Sequence, residues 1–418
     1  MIPSKRRSGW QYWEIADLLR DGMLEIGDGY RAKNSEMGTS GLPFARAGNV
    51  NNGFHFDDSD ILSEESVRLA GEKLSRPGDI TFTSKGTFGR FAFVRQDTPP
   101  FVYSPQLCYW RVRRDGVVER RFLYYWMQGA DCMNQLNEVK GLTDMADYVS
   151  LTNQRKMWLS TPPLPVQRRI ASILSAYDEL IENNQRRIKI LEEMARSLYR
   201  EWFVHFRFPG HNKVRMVPSP LGPLPQGWEV KKLGEIAEDM RRNVPKGELD
   251  DTRPYVGLEH IPRRSLTLDA WEMVTDLGSN KLEFKKGEVL FGKIRPYFHK
   301  VSVAPFDGVC SADTIVIRAR RPEQYAFVVA CVSSDAFVAQ ASATANGAKM
   351  PRANWDVLQE YKVVIPAGQV AEQFSMLFTD IITQQQALIF QIQNLRRTRD
   401  LLLPRLFSGQ VNIEALNA

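Results

Sequence analysis

Residues 167–206 read QRRIASILSAYDELIENNQRRIKILEEMARSLYREWFVHF, and the spacing of their apolar side chains decides the fold. Ile170, Leu174, Tyr177, Ile181, Asn184, Ile188, Leu191, Ala195, Leu198 and Trp202 advance by alternating steps of four and three, which places them along one seam of a helix. The same rhythm returns at Phe374, Phe378, Ile381, Gln385, Leu388, Ile392, Leu395, Arg399, Leu402 and Leu406. Two heptad helices lying about half of the 418 residues apart, each preceded by a stretch of similar length, imply a duplicated unit of globular domain plus helix. Asn184 and Gln385 put polar side chains on the seam, where they fix register at some loss of stability. At 1.5 Å per residue such helices run roughly 50 Å, so an antiparallel pair would act as a ruler between the globular halves.

Proline and glycine punctuate this plan. Thr161, Pro162, Pro163, Leu164 and Pro165 set an abrupt entry to the central helix, predicted from Gln167 onward, and Ile365, Pro366, Ala367 and Gly368 do the same for the distal one. Pro404 predicts that the distal helix ends or kinks near Leu403. Residues 208–227 hold Pro209, Gly210, Pro218, Pro220, Gly222, Pro223, Pro225 and Gly227, which suits a linker. The expected segments are therefore a first domain over 1–162, the central helix over 163–207, the linker over 208–227, a second domain over 228–366, the distal helix over 367–408 and a tail over 409–418.

The globular halves can be laid over one another without the helices. Gly78-Asp79-Ile80-Thr81-Phe82 matches Gly287-Glu288-Val289-Leu290-Phe291, and each leads through a basic turn to an apolar run, Phe91 to Val94 or Val301 to Ala304. Both read as strand, turn, strand. Ser104 followed by Leu107 to Val112 parallels Ser311 followed by Thr314 to Ile317, and Leu42-Pro43-Phe44-Ala45 stands where Arg253-Pro254-Tyr255-Val256 does. The fold class is α+β.

Composition is that of an ordinary globular chain, 43% hydrophobic and 25% charged, with no apolar run near the ~18 residues of a membrane span and no signal-peptide core. A cytoplasmic location is expected. Cys108, Cys132, Cys310 and Cys331 are too scattered for a disulfide framework or a zinc site and read as ordinary thiols. A net charge of +6 leans toward polyanions, because Lys and Arg gain affinity by releasing counterions from phosphate.

Catalytic signatures are missing. A DNA methyltransferase needs a glycine-rich loop for S-adenosylmethionine and an Asn/Asp-Pro-Pro-aromatic motif. Arg253-Pro254-Tyr255 and Arg295-Pro296-Tyr297 resemble the latter only superficially and read as turns. No GxxxxGK[ST] phosphate loop occurs. Glu138-Val139-Lys140 with Asp131, or Glu283-Phe284-Lys285 with Asp276, can be drawn as a magnesium nuclease site, but Glu229-Val230-Lys231 and Glu360-Tyr361-Lys362 satisfy the same short pattern. His55, His205, His211, His260 and His299 show no HExxH or paired-ligand spacing. The residues argue for binding and against catalysis.

Binding residues recur in comparable places. Arg31, Lys33, Asn34, Arg46, Asn49, Asn51 and Asn52 lie in polar, glycine-containing stretches of the first half, with Lys85 and Arg90 on the turn between two predicted strands. Arg241, Arg242, Asn243, Lys246, Arg263 and Arg264 occupy comparable loops of the second, with Lys293, Arg295 and Lys300 on the equivalent turn. Such side chains suit base edges and phosphates. A solvated surface explains any one of them; the recurrence of a basic turn at the same place is the stronger sign. Trp10, Tyr12, Trp13, Trp110 and Trp126 are expected in the core.

Nearly the whole chain resembles the specificity subunit (HsdS) of Type I restriction-modification systems. The resemblance is carried by Pro162-Pro163-Leu164-Pro165-Val166-Gln167-Arg168-Arg169-Ile170 entering the central helix, residues 191–206 leaving it, Gly222-Pro223-Leu224-Pro225-Gln226-Gly227-Trp228 opening the second half, and residues 401–409 closing the distal helix. Two places depart from the pattern: the distal entry, Ala367-Gly368-Gln369-Val370-Ala371-Glu372-Gln373, and the opening around Trp10 to Leu19. The resemblance implies a pseudo-twofold repeat of two target recognition domains joined by two long antiparallel coiled-coil helices, each domain reading half of a bipartite double-stranded DNA sequence. It further implies that two methyltransferase subunits (HsdM) dock on the helices and that restriction subunits (HsdR) join them. S-adenosylmethionine, ATP and magnesium would sit on those partners, with no cofactor or metal in this chain and no catalytic residue. A diverged stand-alone methyltransferase or nuclease, and a coiled-coil adaptor without DNA specificity, remain as alternatives.

Overall fold

The computed structural model describes residues 7–51, 53–85, 89–139, 149–249, 251–366 and 368–411. Asn52, Lys140, Ala367 and the tail after Val411 lie outside them. The chain forms two compact units, one holding the described residues up to Leu180 and from Leu395 onward, the other Ile181–Asn394.

In the first unit a four-stranded sheet has the order Leu24–Asp28, Leu107–Val112, Ile80–Thr83, Phe91–Phe93, antiparallel throughout. The second unit repeats it as Ala237–Asp239, Thr314–Ala319, Val289–Gly292, Val301–Val303. A closing two-stranded ladder is repeated too, Gln11–Glu14 with Trp158–Thr161 and Glu229–Lys232 with Lys362–Ile365. The remaining sheets share a mixed core. Gly41–Ala45 pairs antiparallel with Ile61–Ser63 and parallel with Val102–Tyr103, as Arg253–Val256 does with Glu272–Val274 and Gly308–Ser311. The second unit then adds Lys281–Phe284 and Arg242–Val244.

Arg253-Pro254-Tyr255 is therefore strand, not the expected turn. Pro254 lies opposite Met273 on its antiparallel side, and the parallel pairing on the other side starts at Tyr255, just as Pro43 lies opposite Ile61 and the parallel pairing starts at Phe44. Trp110 and Trp126 are fully buried, while Trp10 and Trp13 pack partly buried against the same core.

The long helices are Leu164–Tyr199, continued by a π turn Arg200–Val204, and Gln369–Ser408. The central helix begins before Gln167 because Pro165 fits a first turn, where its missing N–H has no partner to lose. The distal helix does not stop at Leu403 but carries Pro404 inside it. Leu406 and Phe407 are buried with Ile170, Leu174 and Phe122, and that apolar burial holds the last turn helical. Within each unit the helices run antiparallel: Asp178 meets Arg399 in the first, Asn184 meets Gln391 and Trp202 meets Phe374 in the second. Of the heptad positions Ile170, Leu174, Ile181, Asn184, Ile188, Ala195, Trp202, Phe374, Phe378, Ile381, Gln385, Leu388, Ile392 and Leu406 are buried, and Tyr177, Leu191, Leu198, Leu395, Arg399 and Leu402 half-buried. The segment read as a linker is not bare: Phe208 and Leu224 are buried, and Phe208 packs on Trp228 with ring centroids 5.0 Å apart. Among the described residues no single helix is long and apolar enough to cross a membrane.

Candidate nucleic-acid interface

In each four-stranded sheet the edge strand and its neighbour, Phe91–Phe93 with Ile80–Thr83 and Val301–Val303 with Val289–Gly292, are built on one repeated turn. Gly78 (φ 93°) and Gly287 (φ 87°) take the left-handed conformation that glycine adopts without a Cβ clash. Their amides donate to Val94 (2.7 Å) and Ala304 (2.8 Å). The next residue in each half is a buried acid. Asp79 accepts two hydrogen bonds from the Arg111 guanidinium, 2.6 and 2.8 Å, and one from the Tyr103 hydroxyl, 2.8 Å. Glu288 accepts from both terminal nitrogens of Arg242, one at 2.9 Å. Burial by itself would lower the Arg111 pKa, but the bonds and charge of Asp79 outweigh it and raise the value; burial and Asp79 together hold Tyr103 protonated far above the usual phenol range. Each acid thus fixes the base of a strand pair whose other end carries the basic turn.

At that other end, Lys85 and Arg90 are exposed on the first half's turn. On the second, Lys293, Arg295 and Lys300 are half-buried, and the backbone is strained. Arg295 (φ 48°) and His299 (φ 53°) flank the single turn Pro296–Phe298 in left-handed conformations that L residues rarely adopt. The surroundings enforce them. The Arg295 amide donates to Pro351 O at 2.7 Å, His299 Nε2 lies 2.9 Å from Ser333 O, and His299 O accepts from the amide of Arg264, itself left-handed at φ 56°. The Arg263 guanidinium lies 4.2 Å from the centroid of the Phe298 ring and Arg295 lies 6.0 Å from it, while Tyr297 is exposed beside them. Burial and the Arg263 charge hold the Lys300 ammonium below the usual lysine range, and Lys300 donates to Leu258 O.

The other sequence candidates divide by their partners. Arg31, Lys33 and Asn34 are exposed around a short 3-10 turn, and Lys246 is exposed. Arg46 pairs with Asp60 at 2.6 Å, and Asn49 bonds both the Arg46 amide and His55 O, so Asn49 shapes its own loop. Arg242 is taken up by Glu288 and is a structural residue, not an open donor. Arg264 pairs with Asp335 at 3.0 Å, and its carbonyl accepts from Arg196. Arg241, Asn243 and Lys293, drawn from distant parts of the sequence, line one cleft. Tyr297, Phe298 and Arg111 carry no local signal that singled them out. In the nuclease-like pattern Lys285 pairs with Glu283 at 2.9 Å, and all four cysteines are buried free thiols.

Residues 8–193 match the family model described as Type I restriction modification DNA specificity domain. The chain is 24% identical over 369 residues to the Type I restriction enzyme MjaIX specificity subunit of Methanocaldococcus jannaschii, spanning 85% of this chain and 82% of that protein. It is 20% identical over 442 residues to the Type I restriction enzyme EcoDI specificity subunit of Escherichia coli, spanning 99% and 91%. A crystal structure of the S subunit of a Type-I restriction-modification system from M. genitalium shares the fold, with a TM-score of 0.58 at 12% identity over 97% of this chain and 98% of that one. Residues 8–193 thus carry a Type I restriction modification DNA specificity domain, on an architecture of two α+β units and two long helices. Over most of its length the chain is similar to Type I restriction enzyme specificity subunits.

Proposed function

We propose that the chain reads a bipartite double-stranded DNA target, one half-site per four-stranded-sheet domain, and carries no catalytic residue of its own. The observation that supports this reading is the repeated sheet with a basic turn at the same place in both halves, exposed at Lys85 and Arg90, strained and aromatic-lined in residues 293–300. One scaffold carrying two different surfaces suits two different half-sites, with phosphate contacts positioning each domain and base edges selecting the sequence.

Two methyltransferase subunits dock on the long helices in this reading, and restriction subunits join the complex in turn. Ile190 and Met194 on the central helix and Met376, Phe390 and Leu401 on the distal helix leave large apolar side chains exposed, which suits partner helices. S-adenosylmethionine, ATP and magnesium belong to those partners. The test is methylation mapping in cells expressing this chain together with its methyltransferase subunit, against cells expressing either alone. A gapped two-part adenine motif only with both supports the reading; a mark from this chain alone, or none with both, overturns it.

A further inference from the structure

A cleft of about 280 Å³ lies at one end of the second unit's four-stranded sheet, just under the size of drug-sized ligand pockets. Its chemistry is unusual for a sheet end. Asp239 closes the strand Ala237–Asp239 with a side chain only 9% exposed, and one of its oxygens accepts from Arg241 Nε at 2.8 Å while Oδ1 has no partner among the described residues. Thr314, 1% exposed, lies on the same cleft wall, with its hydroxyl beside the buried Cys310 thiol. An unpaired buried acceptor costs on the order of 1–3 kcal/mol.

The fold does not require either polar group, because its other copy lacks both. Asp239 pairs with Ile317, and Ile317 with Val289; in the first unit Ile26 pairs with Trp110, and Trp110 with Ile80. Since Val289 corresponds to Ile80, Ile26 stands where Asp239 does. By the same registers Leu107, opposite Thr83, stands where Thr314 does, opposite Gly292. The apolar pair and the polar pair support the same sheet, so the Asp239 carboxylate serves something other than folding.

The rest of the lining says what. Lys293 comes from the basic turn, Arg241 is 63% exposed and able to turn toward a phosphate, and the Trp355 indole supplies an aromatic wall. An anion-binding rim, a flat apolar wall and a carboxylate with one oxygen left over together describe a nucleotide whose base edge bears an N–H donor. In the major groove only adenine N6 and cytosine N4 are such donors, whereas guanine O6 and thymine O4 would face Asp239 acceptor to acceptor. We propose that this cleft reads one amine-bearing base, adenine or cytosine, at a single position of the second half-site, with Asp239 accepting from its exocyclic amine. This rests on the DNA-reading function proposed above.

The test uses the assembled complex with its methyltransferase subunit. With wild-type protein, each adenine or cytosine of the second half-site is replaced in turn by the analogue lacking the exocyclic amine. Binding should weaken about tenfold to a hundredfold at one position through this contact, and that sensitivity should vanish in Asp239→Ile, which installs the first unit's own residue. Asp239→Asn, able to donate as well as accept, should admit guanine or thymine at that position in methylation mapping, with the first half-site unchanged. Equal sensitivity to every analogue in wild type and Asp239→Ile overturns the cleft assignment while leaving DNA recognition intact. A wild-type complex with no sequence preference overturns the underlying reading instead.

Discussion

Arg111 closes on Asp79 through two hydrogen bonds of 2.6 and 2.8 Å, with the carboxylate wholly buried and the guanidinium side chain 5% exposed. Removing one partner of such a pair strands the other charge. Asp79→Ala should therefore cost about 3 kcal/mol, at the lower end for broken buried pairs because Glu72 and the Leu74 carbonyl still bond Arg111. Glu288→Ala should cost less, about 1–2 kcal/mol, since Arg242 is 24% exposed and regains water. Urea unfolding of the two variants measures both. Equal losses would show that burial does not set the strength of these pairs.

Gln385 sits on the distal helix seam at 2% exposure, yet its Nε2 has no hydrogen-bond acceptor among the described residues, and Asn184 bonds Gln391 at 3.3 Å instead. A desolvated amide on an apolar seam specifies register at the expense of stability. Gln385→Leu should raise the stability of the second unit by about 1 kcal/mol. Thermal unfolding checks this, and a lowered midpoint would mean that the amide is bonded in solution.

His299 is buried, and that burial holds its pKa below the ordinary histidine value of 6.5, despite the favourable Ser333 carbonyl and Asp335 carboxylate. Arg264 and Arg196 add repulsion to the charged form. The unfolded chain therefore binds the proton more tightly than the folded one. The stability tied to neutral His299 is complete above pH 6.5 and is lost as pH falls through 6.5 toward the lower folded value. Thermal midpoints should fall more steeply with acidification in the wild type than in His299→Asn, which tolerates the left-handed backbone but does not titrate. Parallel curves would remove His299 from the account.

The helices and the repeat were legible because both are written locally: the heptad spacing lies within each segment, and Gly78-Asp79 and Gly287-Glu288 mark the same turn in each half. Two local rules misled where distant packing prevailed. Pro404 signals a helix end, but Leu406 and Phe407 are held in the core of the first unit; Pro254 signals a turn, but its strand is paired on both sides, opposite Met273 and, from Tyr255 on, beside Gly308–Ser311. The candidate interface was less legible still, since a basic residue looks the same whether solvated or spent. Arg242 is spent on Glu288, a partner 46 positions away, while Lys85 is exposed on its turn. The unpaired oxygen of Asp239 arises from burial, and spacing carries no trace of it.

Because each basic turn belongs to a separate unit, the two should act on separate half-sites. Lys85→Ala with Arg90→Ala should weaken binding to one half-site by about tenfold to a hundredfold per lost base contact and leave the other half-site's preference intact. In the second unit Lys293→Ala is best combined with Arg295→Asn, because asparagine accepts the left-handed backbone at φ 48° and alanine would add strain to the lost charge. That pair should alter only the second half-site. Binding of the assembled complex to duplexes randomised in one half-site at a time reads both effects. If either pair degrades both half-sites alike, the turns supply general phosphate affinity and the sequence is read elsewhere.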